Sequence, residues 1–196
     1  MRYTYSVLDS TGDPVREFAK DLKDSSFHSE GDEKALQVIM DRQMATIKEL
    51  KVAKSKKPMP NIRIVIDDWS DRPDIMHSAS NILTTPSIRG RHLYTSCWLS
   101  SQVLSAVHPV ARQTMIFIVV WRLRNKKELI DSLLYELSAL LPMPVLMEMY
   151  ETATGDEPHS FWFIDLMAKK KEDMMFIRFE HRTVVDNKQT DALDPA

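Results

Sequence analysis

Apolar residues in the middle of the chain fall into three short, nearly continuous runs. Runs of this kind are typical of strands that are buried on both faces of a parallel sheet. The three predicted strands cover Ile62–Ile66, Leu93–Ser100 and Met115–Trp121. Helical periods stand before and after them, because one period begins at Asp32 and another runs over Lys127–Leu141.

The helix that begins at Asp32 and ends near Lys54 has an apolar stripe with spacings of three and four residues. The stripe consists of Leu36, Ile39, Gln43 and Ile47. Two shorter elements are predicted before it. They are a strand at Tyr3–Leu8, which is rich in aromatic and β-branched residues, and a helix at Pro14–Leu22.

Two late runs, Phe161–Leu166 and Met174–Glu180, flank a charged turn and predict a C-terminal β-hairpin. The segment 101–114 is too long for a hairpin turn and predicts a helical crossover. Strands that alternate with helices predict an α/β fold with a mostly parallel sheet, to which the hairpin is an antiparallel addition. The polar residues 186–196 are expected to form a disordered tail.

Composition narrows the class of protein only a little. The 196 residues suggest one domain, over 1–185, and the net charge of −2 gives no general attraction to nucleic acid or membranes. No apolar run reaches the ~20 residues that span a bilayer, and no secretory signal is visible. The one cysteine, Cys97, lies in the middle of a predicted strand, which predicts a buried thiol and a reducing, non-secreted location.

The strand at Ile62–Ile66 ends in two adjacent acids, Asp67 and Asp68. Ligands of parallel α/β sheets bind at the carboxyl ends of the strands, so these acids are the first candidate site. One carboxylate there can hold Mg²⁺, mostly through water, while the other orients or deprotonates an attacking water. The alternative is a solvated strand end that happens to carry two acids.

A glutamine, Gln102, lies just past the end of the second predicted strand. A glutamine at that edge can contact both a γ-phosphate and the water that attacks it. From the sequence alone, a polar cap on a buried strand is the better explanation of Gln102.

Charge is unevenly distributed along the chain. No acidic residue occurs between Ile75 and Lys127, a pattern that suits phosphate groups. Buried strands also exclude acids, and this simpler explanation covers the arginines at strand ends. The stretch contains seven basic residues, Arg89, Arg91, Arg112, Arg122, Arg124, Lys126 and Lys127.

The chain has only four glycines, of which Gly12 and Gly31 are the closest pair. A phosphate-binding P-loop needs two glycines five positions apart, followed by lysine and by serine or threonine. Neither this motif nor a dinucleotide-binding glycine motif is present in the chain.

Several segments follow one another in an order that resembles a known family. They read IRIVIDDWSD, then IRGRHLYTSCWLSSQ, then VHPVARQTMIFIVVWRLRNKKEL, then FWFID. In this order the chain, from about Tyr3 to Val185, resembles the carboxy-terminal two-thirds of a viral DNA-packaging ATPase. The family is that of poxviruses and giant viruses, in the FtsK–HerA group of P-loop NTPases. The resemblance implies a RecA-like sheet with helices on both faces.

The resemblance also implies roles for individual residues. IRIVIDD would be the Walker B strand, with Asp67 as the Mg²⁺ ligand and Asp68 as the catalytic acid. Gln102 would be the sensor, and Arg112 matches the arginine that follows the sensor region. The resemblance leaves open whether Arg112 is a finger toward the nucleotide of a neighbouring subunit. ATP and Mg²⁺ are the implied cofactors.

The partners and location implied by the resemblance are those of a packaging motor. They are double-stranded DNA, further copies of the chain in a ring, and a capsid portal or vertex. The implied location is the host cytoplasm or virion factory.

The chain departs from the family in one respect. The family's first strand, Walker A loop and following helix would precede Tyr3 and are not in this sequence. Without that loop, Mg²⁺–ATP binding and hydrolysis by this chain alone are expected to be weak or absent. Two other interpretations stay open, a non-enzymatic remnant or interaction module with the same fold, and an unrelated α/β binding protein.

Overall fold

The computed structural model of the chain describes residues 4–5, 33–54, 56–67, 84–155 and 157–183. The chain divides into two compact units, unit 1 (Met1–Thr114) and unit 2 (Met115–Ala196). The predicted helix at Pro14–Leu22, the predicted catalytic Asp68 and the predicted tail lie outside the described residues.

Unit 1 contains a parallel sheet of three strands in the order β1-β2-β3. β1 covers Thr4–Tyr5, β2 covers Ile62–Asp67 and β3 covers Thr95–Ser100. The predicted parallel strands at Ile62–Ile66 and Leu93–Ser100 are therefore confirmed, although β3 begins two residues later than expected. The β2–β3 ladder is continuous and in register from its first residues to its last.

Helix α1 covers Glu33–Val52 and confirms the helix predicted from its apolar stripe. Leu36, Met40 and Ile47 are almost fully buried. Strand β2 buries alternate residues, Ile62, Ile64 and Ile66, as the two-residue period of a strand requires. Both elements therefore contribute one apolar side to the core of unit 1.

Gln43 is a polar residue inside the apolar stripe of α1, and only 3% of it is exposed. Its side-chain Nε2 donates hydrogen bonds to the carbonyl oxygens of Pro60, at 2.7 Å, and Leu93, at 2.8 Å. Pro60 lies just before β2 and Leu93 just before β3. One buried amide thus joins α1 to the starts of β2 and β3.

The segment before β3 is a helix, α2, which covers Thr84–Leu93. It turns into β3 through Tyr94, whose φ of 50° is left-handed. Gly90 is buried in α2 where β3 passes close by, since a Cβ on Gly90 would lie 2.6 Å from the carbonyl oxygen of Thr95. Only a residue without a side chain fits this contact.

Between β3 and the end of unit 1 the chain forms two short turns of helix. A 3₁₀ turn covers Leu104–Ala106, and helix α3 covers Pro109–Gln113. These turns occupy the segment for which the sequence predicts a helical crossover. Proline at the first position of α3 and the Nδ1 of His108, which accepts a hydrogen bond from the N–H of Val110 at 3.2 Å, define where α3 begins.

Unit 2 contains an antiparallel sheet of four strands in the order β4-β5-β6-β7. The strands cover Phe117–Trp121, Phe161–Asp165, Met175–Ile177 and His181–Arg182. β5 and β6 pair antiparallel, so the predicted C-terminal hairpin is confirmed.

Two helical segments stand between β4 and β5. The first, α4, is α-helical over Lys126–Glu128, a π-helix over Leu129–Leu134 and α-helical again over Tyr135–Leu137. The second, α5, covers Met143–Gly155. The helix predicted over Lys127–Leu141 is thus present but ends earlier and changes its hydrogen-bond pattern midway.

The prediction that Met115–Trp121 forms a parallel strand is wrong. β4 pairs antiparallel with β5, in a sheet separate from β2 and β3. The run is apolar on both sides for a different reason: one side buries Val120, and the other joins a cluster of aromatic rings. An apolar run therefore indicated a strand with two apolar faces correctly, but it carried no information about strand direction.

We predict that Gly90→Ala lowers the free energy of unfolding by about 1–3 kcal/mol, because the new Cβ would clash with a backbone oxygen. Urea unfolding measures the change. Gly155→Ala is the matched control, since a Cβ there meets nothing within 4 Å. We expect the control to be neutral or to stabilise by up to about 1 kcal/mol. Equal stability of the two variants would contradict the close approach of α2 and β3.

We predict that Gln43→Met, which keeps the length of the side chain, destabilises the protein by about 1–3 kcal/mol, because the carbonyls of Pro60 and Leu93 lose the amide that links them. Gln37→Met is the control, because Gln37 is exposed and donates only to Asp41, at 2.9 Å. The control should change stability by less than about 0.5 kcal/mol. If both variants unfold at the same urea concentration as the wild type, the amide does not hold the sheet.

Candidate active site

Asp67 is the last residue of β2 and pairs in register with Ser100, the last residue of β3. The two strands are parallel, so both carboxyl ends lie at the same edge of the sheet. Asp67 is half-buried. The structure thus places the predicted Mg²⁺ ligand where ligands bind in parallel α/β sheets. Asp68 lies outside the described residues, and its role stays a prediction.

Gln102 follows Ser100 by two residues and is exposed. The chain turns directly after it, because the hydroxyl of Ser101 accepts from the N–H of Val103, at 3.2 Å, and donates to the carbonyl of Val103, at 2.9 Å. The register of the ladder therefore brings Asp67 and Gln102 to the same edge of the sheet. That Gln102 acts as a sensor stays a prediction.

Arg112 lies in α3, and its Nη1 donates to backbone carbonyls of its own unit. The acceptors are Val107, at 2.7 Å, Leu104, at 3.3 Å, and Ser105, at 3.5 Å. Arg112 is half-buried in this position. The sequence did not predict these contacts, and a finger role for Arg112 stays a prediction.

The outer side of β2 carries a pair that the sequence analysis missed. Arg63 lies over the ring of Trp98 in β3, with its guanidinium carbon 5.3 Å from the ring centroid. Trp98 is 48% exposed. Side chains alternate between the two sides of a strand, so Arg63 and Asp67 lie on the same side of the sheet. This alternation in the sequence could have predicted that the two residues share a face. A cation, an aromatic ring and a carboxylate therefore share one partly exposed face.

Six of the seven basic residues of the acid-free stretch are exposed, the exception being the half-buried Arg112. Arg89 and Arg91 lie on α2 in unit 1. In unit 2 the four that follow β4 are exposed, namely Arg122, Arg124, Lys126 and Lys127. Exposed arginine and lysine side chains are the kind that contact phosphate groups in nucleic-acid complexes.

The donor set at Asp67 fits Mg²⁺. Among the residues that the structure describes, no group of three or more histidine, cysteine or acidic side chains is arranged to hold a metal ion. Mg²⁺ does not need such a cage, because it is held by one or two carboxylates together with water and substrate phosphates. Asp67 supplies a carboxylate of this kind at a partly exposed position.

Cys97 stands in the middle of β3, in register with the buried Ile64. Burial raises the pKa of the Cys97 thiol from 9.0 to about 12. The thiol therefore stays protonated at neutral pH and is neither a nucleophile nor a metal ligand there. The raised pKa fits the predicted unreactive thiol, but the side chain of Cys97 is half-buried and not fully enclosed.

We predict that Cys97 in the folded chain reacts with an aromatic disulfide reagent at pH 8 at least about 100-fold more slowly than in urea. The raised pKa lowers the thiolate fraction, and β3 hinders access. The absorbance of the released thiol follows both rates. Native and unfolded rates within about tenfold of each other would contradict the burial of this thiol.

No protein-family model matches the chain, and no curated protein matches it. Solved structures do match. The genome-packaging NTPase B204 of Sulfolobus turreted icosahedral virus 2, in complex with AMP, is similar with a TM-score of 0.55 and 13% identity, over 93% of this chain and 83% of that one. The pCW3 conjugation coupling protein TcpA, with ATPγS, is similar with a TM-score of 0.51 and 14% identity. That match covers 97% of this chain and 54% of the TcpA chain.

The fold of this chain resembles that of FtsK–HerA-type P-loop ATPases. The resemblance expected from the order of the sequence segments is thereby confirmed at the level of fold. EssC from Geobacillus thermodenitrificans also matches, with 14% identity and a TM-score of 0.46. The match covers 61% of this chain and 25% of the EssC chain. No helix among the described residues is long and apolar enough to cross a membrane.

Proposed function

We propose that this chain supplies the Walker B and sensor part of an ATP-driven DNA-packaging translocase. The observation that carries the proposal is the register of β2 and β3, which brings Asp67 and the start of the Gln102 loop to one edge of a parallel sheet. That edge belongs to a fold similar to B204, a genome-packaging NTPase crystallised with AMP. Both the chemistry and the fold favour the same activity.

In this proposal the two acids have different tasks. Asp67 holds Mg²⁺, which neutralises charge on the phosphates when bound. Asp68, the next residue along the chain, accepts a proton from the attacking water or orients it. Gln102 contacts the γ-phosphate and that water from the end of β3. Each of these roles depends on the shared carboxyl edge.

Double-stranded DNA is the proposed substrate to be moved, and the exposed basic residues of the acid-free stretch are the proposed contacts. The proposed assembly is a ring of identical subunits at a capsid portal or vertex. In a cell it would act in the host cytoplasm or virion factory.

A second candidate is a non-enzymatic interaction module with the same fold. The sequence favours it in one respect, because none of the four glycines belongs to a phosphate-binding loop. In that case Asp67 would be a solvated strand end, and replacing it would change no activity. The experiment below separates the two candidates.

We predict that, in a version of the chain extended at its N-terminus by a P-loop strand and helix, Asp68→Asn lowers kcat for ATP by at least about 100-fold. The KM for ATP should change by less than about threefold, because only a transition-state role is lost. Asp67→Ala should in addition raise the Mg²⁺ concentration needed for half-maximal activity. Release of phosphate measures all of these values.

Asp131→Asn is the control, because Asp131 is an exposed acid on α4 of unit 2. It should leave kcat unchanged. If Asp68→Asn stays within about threefold of the wild type, Asp68 is not the catalytic acid. An extended chain that binds ATP yet hydrolyses none would favour the interaction module instead.

A further inference from the structure

The sensor loop, residues 101–107, connects the end of β3 to the segment that begins α3. It carries Gln102 near its start and the 3₁₀ turn at Leu104–Ala106. Val107, at its end, is buried and only 2% exposed. The loop is thus anchored at one end by β3 and at the other by a buried side chain.

The carbonyl groups of this loop need hydrogen-bond partners that the turn itself does not supply. The last carbonyls of a single 3₁₀ turn have no N–H donor within the turn. Within the loop, the carbonyl of Val103 accepts from the N–H of Ala106 at 3.2 Å, and the carbonyl of Leu104 accepts from the N–H of Val107 at 3.0 Å. A carbonyl next to a buried residue costs free energy if it is left unpaired.

Arg112 supplies those partners. Its Nη1 donates to the carbonyl of Val107 at 2.7 Å and approaches those of Leu104 and Ser105 at 3.3 and 3.5 Å. Charge-assisted bonds to a carbonyl are stronger than neutral ones. The guanidinium on α3 therefore contacts three carbonyls of the loop, those of Leu104, Ser105 and Val107.

We propose that Arg112 is a positioning residue that fixes the sensor loop of its own chain and so holds Gln102 at the edge beside Asp67. The inference rests on the proposed function for the role of Gln102, but the contact itself does not. It differs from a finger role, in which the guanidinium reaches the nucleotide of a neighbouring subunit. In the positioning role, the guanidinium acts on carbonyls of its own chain.

The test is amide exchange in the full ¹⁵N-labelled chain, followed by NMR without any nucleotide. In Arg112→Ala, the amides of Ala106 and Val107 should exchange at least about tenfold faster, because the turn loses its charged donor. The side-chain amide signals of Gln102 should shift. Arg112→Lys, which keeps a charged donor, should restore most of the protection.

Gln113→Ala is the matched control, because Gln113 is exposed and is the next residue of α3. It should leave the loop unchanged. Amides in the β2–β3 ladder, such as those of Ile64 and Cys97, report whether unit 1 keeps its fold. If Arg112→Ala does not fold, Arg112→Gln, which keeps an uncharged donor at shorter reach, gives the same comparison.

Unchanged exchange in Arg112→Ala would overturn the proposal. Equal acceleration throughout unit 1, or a failure of Arg112→Lys to restore protection, would also overturn it, since Arg112 would then act only on overall stability. Because no nucleotide is used, a chain without ATPase activity does not affect this test. Local acceleration with unshifted side-chain amide signals of Gln102 would retain the contact but overturn the claim that Arg112 positions Gln102.

Discussion

The parallel ladder between β2 and β3 is the constraint on which the candidate site depends. Each strand ends in a polar residue, and the register places Asp67 opposite Ser100. A slip of one residue would turn Asp67 to the other side of the sheet and bury it among isoleucines. The chemistry at the carboxyl edge is therefore determined by pairing that begins five residues earlier, at Ile62 and Thr95.

The start of that ladder is held from the side by one amide. Gln43 joins the carbonyls of Pro60 and Leu93, the residues that lead into the two strands. The N–H of Ile62 adds a bond to the carbonyl of Tyr94, at 2.9 Å. A buried polar group with fully paired donors specifies one arrangement, because any other leaves it unsatisfied. At the opposite edge, Arg112 donates to the carbonyls of Leu104 and Val107 in the loop that follows β3.

Short-range patterns predicted those parts of the fold that depend on the period of apolar residues. The helix α1, the strand β2 with its terminal acid, and the late hairpin were all correct in kind. The direction of β4 was not predicted, because the aromatic cluster that covers β4 is assembled from residues distant in sequence. The helix α2 contains proline and glycine, which have low helix propensity, so the sequence did not predict it. Its contact with β3 through Gly90 is not visible in the pattern of neighbouring residues. The partners of Gln43 and Arg112 are backbone carbonyls, which no side-chain pattern identifies.

The central claim is that the carboxyl edge of β2 and β3 receives a metal–nucleotide complex. Paramagnetic broadening of amide signals by Mn²⁺–ATP tests it most directly, since broadening detects even weak binding and falls off steeply with distance. At millimolar Mn²⁺–ATP the account predicts the strongest losses at Asp67, Ser100 and Gln102. ATP with diamagnetic Mg²⁺ should leave those signals sharp. Losses centred on the exposed acids of unit 2, such as Glu136 or Glu148, would contradict the account.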